Sequence, residues 1–116
     1  MKLVKKEESI LYVKPEIRFQ SNEYETDNPN IDCAVVQISG HYPTDDMYVC
    51  NTISTEVIYV LSGDAEFDFY KDKIIKVHDG DVIVINPNER YRICGNASFC
   101  IMCNPHWSPE QQMFYK

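Results

Sequence analysis

The 116-residue chain lacks the features that would direct it to a membrane, a nucleic acid or a second domain. No apolar run approaches the roughly 20 residues that a membrane-spanning helix needs. The first residues mix Lys2, Lys5 and Lys6 with Glu7 and Glu8 and hold no apolar stretch of signal-peptide length, so the cytoplasm is the expected compartment. Basic residues are few: 11 Lys and Arg face 18 Asp and Glu, for a net charge of -7, and such a surface repels phosphate backbones. A nucleic-acid partner is therefore not expected, nor is a membrane. The acidic stretches at Glu23, Glu25, Asp27 and Asp32, and again at Asp45 and Asp46, lack the spacing and turn glycine of a calcium loop and read as solvated loop surface. Repeats, low-complexity segments and long helical periods are also missing. Cys33, Cys50, Cys94, Cys100 and Cys103 are odd in number and carry no secretion signal, which points to reduced thiols.

What is present favours β-structure in a single domain spanning 1–116. Hydrophobic residues make up 44% and aromatics 12%, with eight tyrosines, a composition suited to strands. Short apolar runs recur between turn residues, and this rhythm predicts strands at 17–20, 33–39, 47–51, 55–61, 65–70, 73–77, 82–85, 90–94 and 99–103. Turns are expected at Ser62-Gly63-Asp64, at Lys71-Asp72 as a tight hairpin, at Asp79-Gly80-Asp81 and at Asn86-Pro87. The tail, 105–116, has room for one helical turn after Ser108-Pro109-Glu110. The barrel core is expected over about 32–104, with an N-terminal strand arm at 1–31. Alternation along 56–61 puts Glu56, Ile58 and Val60 on one face and Val57, Tyr59 and Leu61 on the other. If Glu56 points inward, the second face is apolar and outward, and a homodimer is the expected cover.

Two stretches carry a family resemblance. Glu56-Val57-Ile58-Tyr59-Val60-Leu61-Ser62-Gly63 resembles the second half of the first cupin motif, a Glu followed after six residues by a Gly. Gly80-Asp81-Val82-Ile83-Val84-Ile85-Asn86-Pro87 resembles the opening of the second. Both occur in order, with a hairpin between them, and the resemblance covers about 32–110. It implies an all-β, single-domain cupin, a jelly-roll β-barrel with little helix. It also implies where metal ligands would stand, and this chain departs there. Val49 and Asn51 occupy the places of the His-any-His pair, Tyr91 occupies that of the second-motif His, and only Glu56 remains of the four. Amide and phenol oxygens are poor substitutes for imidazole toward Fe, Mn, Ni or Zn, so no metal cofactor is expected. Of the three histidines, His78 reads as surface, His106 as part of the tail, and His41 as lying near the barrel mouth. Cys100 and Cys103 have knuckle spacing, but on a strand they point to opposite faces.

The alignment brings Asn51, Glu56 and Tyr91 together inside the barrel, with Ile58, Val60, Ile93 and Met102 as apolar walls. Such a chamber suits a small ligand, a sugar or a small carboxylic acid. Trp107 follows the last strand and reads as a lid or ligand contact, and His41-Tyr42-Pro43 as the opposite rim. Three functions remain open. The first is metal-independent small-molecule binding. The second is an isomerase, epimerase or lyase using Glu56 and Tyr91 as an acid–base pair. The third is a metal enzyme with non-standard ligands. The missing imidazoles generate a first test. The purified protein is expected to hold less than one equivalent of transition metal per chain by elemental analysis; one tightly retained ion per chain would contradict this.

Overall fold

The computed structural model describes residues 1–44 and 46–116; of the acidic pair expected to be solvated loop, Asp45 lies outside the described residues. The described residues form an antiparallel β fold with three single 3₁₀ turns, at Lys6–Glu8, Pro15–Ile17 and Pro109–Gln111. The strands are β1 (Ile10–Lys14), β2 (Phe19–Tyr24), β3 (Cys33–Tyr42), β4 (Tyr48–Asn51), β5 (Thr55–Phe69), β6 (Ile74–His78), β7 (Val82–Ile85), β8 (Tyr91–Asn104) and β9 (Gln112–Tyr115). No helix among the described residues is long and apolar enough to cross a membrane.

β8 is the spine. β5 pairs with it from Thr55↔Asn104 to Phe69↔Tyr91, while β3 and then β4 line its other edge. β6 and β7 extend the sheet beyond β5, β2 and β1 extend it beyond β3, and β9 pairs with β4. The sheet curls so that alternate residues of β5 and β8 meet inside. Ile58, Val60, Phe67 and Phe99 are fully buried, and the Phe67 and Phe99 rings meet edge-on with centroids 5.9 Å apart. Glu56 shares that face, whereas Tyr59 and Leu61 are exposed on the other, as the alternation predicts.

The expected turn at Ser62-Gly63-Asp64 is not a turn. β5 continues through it, with a register shift between Val60 and Ser62, and β8 likewise joins the two segments predicted at 90–94 and 99–103. Glycine explains the difference: a positive φ serves a turn or a bulge equally well. Gly63 (φ 93°) pairs with Ala97, and Gly95 (φ 151°) pairs with Ala65, so the two long strands bend together where neither glycine carries a Cβ. The Lys71-Asp72 hairpin forms as expected, with Lys71 left-handed at φ 54° and the Asp72 N–H bonded to the Phe69 carbonyl at 2.9 Å. Pro109 starts a helical turn, although Ser108 makes no side-chain cap there. Two strands escape the sequence rhythm: β1, whose residues are all exposed, and β9, which follows that helical turn.

The bend yields a prediction. A Cβ on Gly63 would overlap the Asn96 carbonyl oxygen, and one on Gly95 would overlap that of Asp64. Gly63→Ala is expected to lose about 2–4 kcal/mol in urea unfolding, from strain and backbone overlap together. An alanine variant within about 0.5 kcal/mol of the parent would contradict the geometry.

Candidate functional site

Four elements converge on one buried carboxylate. Asn51 ends β4, Glu56 follows on β5 after a three-residue loop (52–54), Tyr91 opens β8, and Trp107 lies just past its end. Asn51 Nδ2 donates to Glu56 Oε1 at 2.6 Å, and the Tyr91 hydroxyl donates to the same oxygen at 2.9 Å. Asn51 Oδ1 in turn accepts from the Trp107 indole N–H at 2.9 Å, which fixes the amide orientation. Glu56, Asn51 and Tyr91 are all buried. Arg90 and Arg92 point away, as their position on either side of Tyr91 predicts: Arg92 donates to Asp68 at 2.9 Å, and the Arg90 guanidinium covers the Tyr115 ring at 3.7 Å.

Two polar side chains, Gln111 buried and Asp32 half-buried, hold this arrangement in place. Gln111 Oε1 accepts from the backbone N–H groups of Ile53 (3.2 Å) and Ser54 (2.7 Å), and its Nε2 donates to Ser54 Oγ at 3.0 Å. The loop between Asn51 and Glu56 is thereby tied to the tail. Asp32 ties the tail to the barrel, accepting from the N–H groups of Cys103 (2.8 Å) and Trp107 (3.0 Å). Neither residue is marked in the sequence, because their partners lie 57 to 75 positions away. Asp32 is half-buried and structural, and Glu23 is half-buried on the inner face of β2 with Ser21, so both depart from the solvated-surface reading. Their apparent membership of an exposed acidic run comes from Glu25 and Asp27, which are exposed.

Burial has the largest effect on the charges here. It pushes the Glu56 carboxyl up to about 7; the hydrogen bond from Tyr91 opposes this, the Asp32 charge adds to it, and the Asn51 hydrogen bond opposes it. The Tyr91 phenol rises well above its ordinary value, first through burial and then through the Glu56 charge. Tyr42 is pushed up to about 12 by burial, with Glu56 and Glu23 both adding to the rise. Both hydrogen bonds to Glu56 among the described residues land on Oε1, and Oε2 accepts none from them. Since no buried side-chain N or O atom among the described residues lacks a partner, Oε2 must border space that a water molecule can enter.

Other sequence candidates fall elsewhere. Ile58 is fully buried on the Glu56 face, and Val49 is buried beside Tyr91, its register partner. Met102 does not line the interior. It pairs with Val57 on the outward face and is exposed, because β8 sends Ile93, Phe99 and Cys103 inward and alternation turns even-numbered positions out. Cys103 is likewise buried, while Cys100 faces outward beside Cys33, with sulfurs 4.0 Å apart, so the knuckle spacing does not converge. His78 is exposed, with Nε2 3.8 Å from Asp81. His106 is half-buried, with Nδ1 bonded to the Trp107 carbonyl at 2.9 Å and Nε2 3.5 Å from Glu25. His41 Nδ1 lies 2.8 Å from the Pro43 carbonyl, in an open cleft of about 350 Å³ lined also by Asp68, Arg92 and Cys94. Neither Glu56 nor Tyr91 lines that cleft. Among the described residues, no three His, Cys, Asp or Glu side chains are grouped to hold a metal ion.

Comparison with solved structures bears on the fold. No family model and no curated protein matches the chain. Solved structures do match. The chain superposes on Pac13, described as a unique nucleoside dehydratase, with a TM-score of 0.88 at 18% identity, covering 100% of this chain and 92% of that one. Forms of the Streptomyces protein with one histidine or tyrosine replaced have been solved with uridine. Oxalate decarboxylase from Bacillus subtilis matches with a TM-score of 0.77 at 12% identity, over 93% of this chain and 30% of that one. KdgF from Halomonas sp. matches with a TM-score of 0.70 at 13% identity, over 90% and 94%. The fold is that of a small cupin, an all-β jelly roll.

The raised Glu56 carboxyl generates a prediction for stability. Its unfolded value is 4.5 and its folded value about 7, so between those pH values the unfolded chain gives up a proton that the folded chain keeps. Stability therefore falls as pH rises from 4.5 to about 7, by up to roughly 3 kcal/mol from this group. Glu56→Gln keeps an acceptor for Asn51 and Tyr91 but cannot ionise, and is expected to remove this component from a urea-unfolding series across that window. An identical pH profile in parent and variant would contradict the assignment.

Proposed function

We propose that this cupin-fold chain binds a small molecule inside the barrel beside Glu56, without using a transition metal. The observation that carries this reading is the half-committed carboxylate. Glu56 is buried and clamped through Oε1, yet its Oε2 takes no hydrogen bond from a described residue and keeps some exposure. A purely structural carboxyl in an apolar core would have both oxygens satisfied by protein. One fixed oxygen and one open oxygen is the arrangement of a group that receives something from outside. Asn51 and Tyr91 are the residues that orient it, Ile58 is buried on the same face, and the Trp107 indole N–H donates to Asn51.

A second reading, acid–base catalysis in an isomerase, epimerase or lyase, is favoured by the same carboxyl titrating near 7. The roles differ from an acid–base pair drawn across a void. The Tyr91 proton is already donated to Glu56, so Tyr91 positions the carboxyl and Glu56 Oε2 alone would take a proton from substrate and return it. The full-length likeness to Pac13, a nucleoside dehydratase, is compatible with either reading.

Trp107, the sole tryptophan, reports on the site through its bond to Asn51. Titration with uridine, ribose, glucose and small mono- and dicarboxylic acids is expected to move the single indole N–H resonance for at least one class of compound. Glu56→Gln is expected to weaken that binding at least about tenfold, or 1.4 kcal/mol. Equal binding by the variant, or an indole resonance unmoved by every compound, would overturn the proposal.

A further inference from the structure

The strands that carry Glu56 and Tyr91 have a second apolar face, turned away from the interior. Directly paired residues of an antiparallel sheet point to the same side, so the register traces that face from strand to strand. One row runs through Val82, Tyr59, Cys100, Val35, Asn22 and Leu11, across β7, β5, β8, β3, β2 and β1. A second row, two residues along, holds Val84, Val57 and Met102. Neither row contains an Asp, Glu, Lys or Arg, although the chain has 18 acidic and 11 basic residues. On the other side of the first row the pairing brings up Ser62, Ser98, Gln37 and Gln20, which are polar and uncharged. Tyr59, Leu61, Val82, Val84 and Met102 are 41% to 56% exposed and lie on three adjacent strands, with the half-buried Val57 and Cys100 among them.

Area and charge together say what covers this face. Half the surface of five large apolar side chains is on the order of 500 Å², toward the upper end of the largest apolar patch on a typical monomer. Two such patches pressed together bury on the order of 1,000 Å², the size at which a specific interface begins, and Val57, Cys100 and Val35 add to it. The net charge of -7 makes two copies repel over most of their surface, so they can meet only where acids are absent. These rows are such a place. A basic partner drawn to the acidic surface would find no carboxylate here to pair with its charges. A two-fold contact needs one patch that complements itself, apolar in the middle and polar at the rim, and the rows supply both parts.

We propose that the outer face of β7, β5 and β8 is the contact surface of a two-fold homodimer, with Tyr59, Val84 and Met102 at its apolar centre. Residues of β5 alternate between the two surfaces, Glu56 and Ile58 inward and Val57 and Tyr59 into the interface, so the partner copy backs the strand that carries the buried carboxyl. This inference is independent of the ligand-binding reading, because no residue of the interface belongs to the inner face.

The test is sedimentation velocity of the full chain at micromolar concentration. The parent is expected to run at twice the 13.5 kDa chain mass, and to remain dimeric at high salt, where repulsion between the acidic copies is screened. Tyr59→Glu, and independently Val84→Lys, is expected to weaken association at least about tenfold while keeping the parent circular dichroism spectrum; both sites are exposed, and if one variant misfolds the other decides. Phe114→Glu, at a comparably exposed apolar residue of β9, is expected to leave the dimer intact. The Cys100 thiol is expected to be alkylated faster in the Val84→Lys monomer than in the parent. A parent that is monomeric at micromolar concentration overturns the proposal and assigns the face to an unlike partner. A dimer left intact by the folded face variants, or dissolved by Phe114→Glu, overturns the placement of the interface. Equal alkylation of Cys100 in dimer and monomer contradicts it as well.

Discussion

The site depends on one constraint: a carboxylate placed where water is scarce must be held by protein donors or become neutral. At Glu56 both responses operate. Asn51 and Tyr91 supply two hydrogen bonds to Oε1, and burial still raises the carboxyl to about 7. Near neutral pH such a group is divided between its charged and neutral forms, so the state of Oε2 changes with what stands beside it. An exposed glutamate would be fully ionised and indifferent, and a fully satisfied buried one would be closed to ligands.

The rest of the fold serves to keep that oxygen in place. β5 and β8 bend together at Gly63 and Gly95, so one pair of strands supplies the buried apolar side chains Ile58, Val60, Phe67, Ile93 and Phe99. The tail is part of the site and not an appendage. Asp32 holds its start, Gln111 ties it to the loop before Glu56, and Trp107 orients the Asn51 amide. A change anywhere along this chain of contacts reaches Glu56 through hydrogen bonds that are buried and therefore costly to leave unmade.

The local part of this arrangement was legible in the sequence. Strict alternation over 56–61 fixed which side chains face inward, and the two cupin-like stretches set Asn51, Glu56 and Tyr91 in one chamber, where the structure finds them bonded. What was not legible is set by contacts between distant residues. Gly63 carried a true signal, a positive φ, that a local reading assigned to a turn because the partner strand, with its own glycine at Gly95, lies 32 positions on in the sequence. Met102 differs in parity from Ile93, and on a continuous strand parity decides the face, so the two cannot both line the interior. Glu23 and Asp32 looked like members of an acidic loop, since nothing in their neighbours reveals that β2 turns one carboxylate inward and that the tail returns to bond the other. β1, with every residue exposed, has no buried face to give it a period.

Similarity to solved structures adds the fold and stops there. Those matches run from 12% to 18% identity, while the positions that the cupin resemblance assigns to metal-binding histidines hold Val49, Asn51 and Tyr91 in this chain. The chemistry must be read from the carboxyl itself. Its titration, followed directly by the ¹³C resonance of the Glu56 side-chain carboxyl in selectively labelled protein, tests the account most directly. The expected midpoint is about 7. A midpoint in the ordinary glutamate range, near 4.5, would mean that Glu56 is well hydrated and that the water-poor, half-committed site described above does not exist.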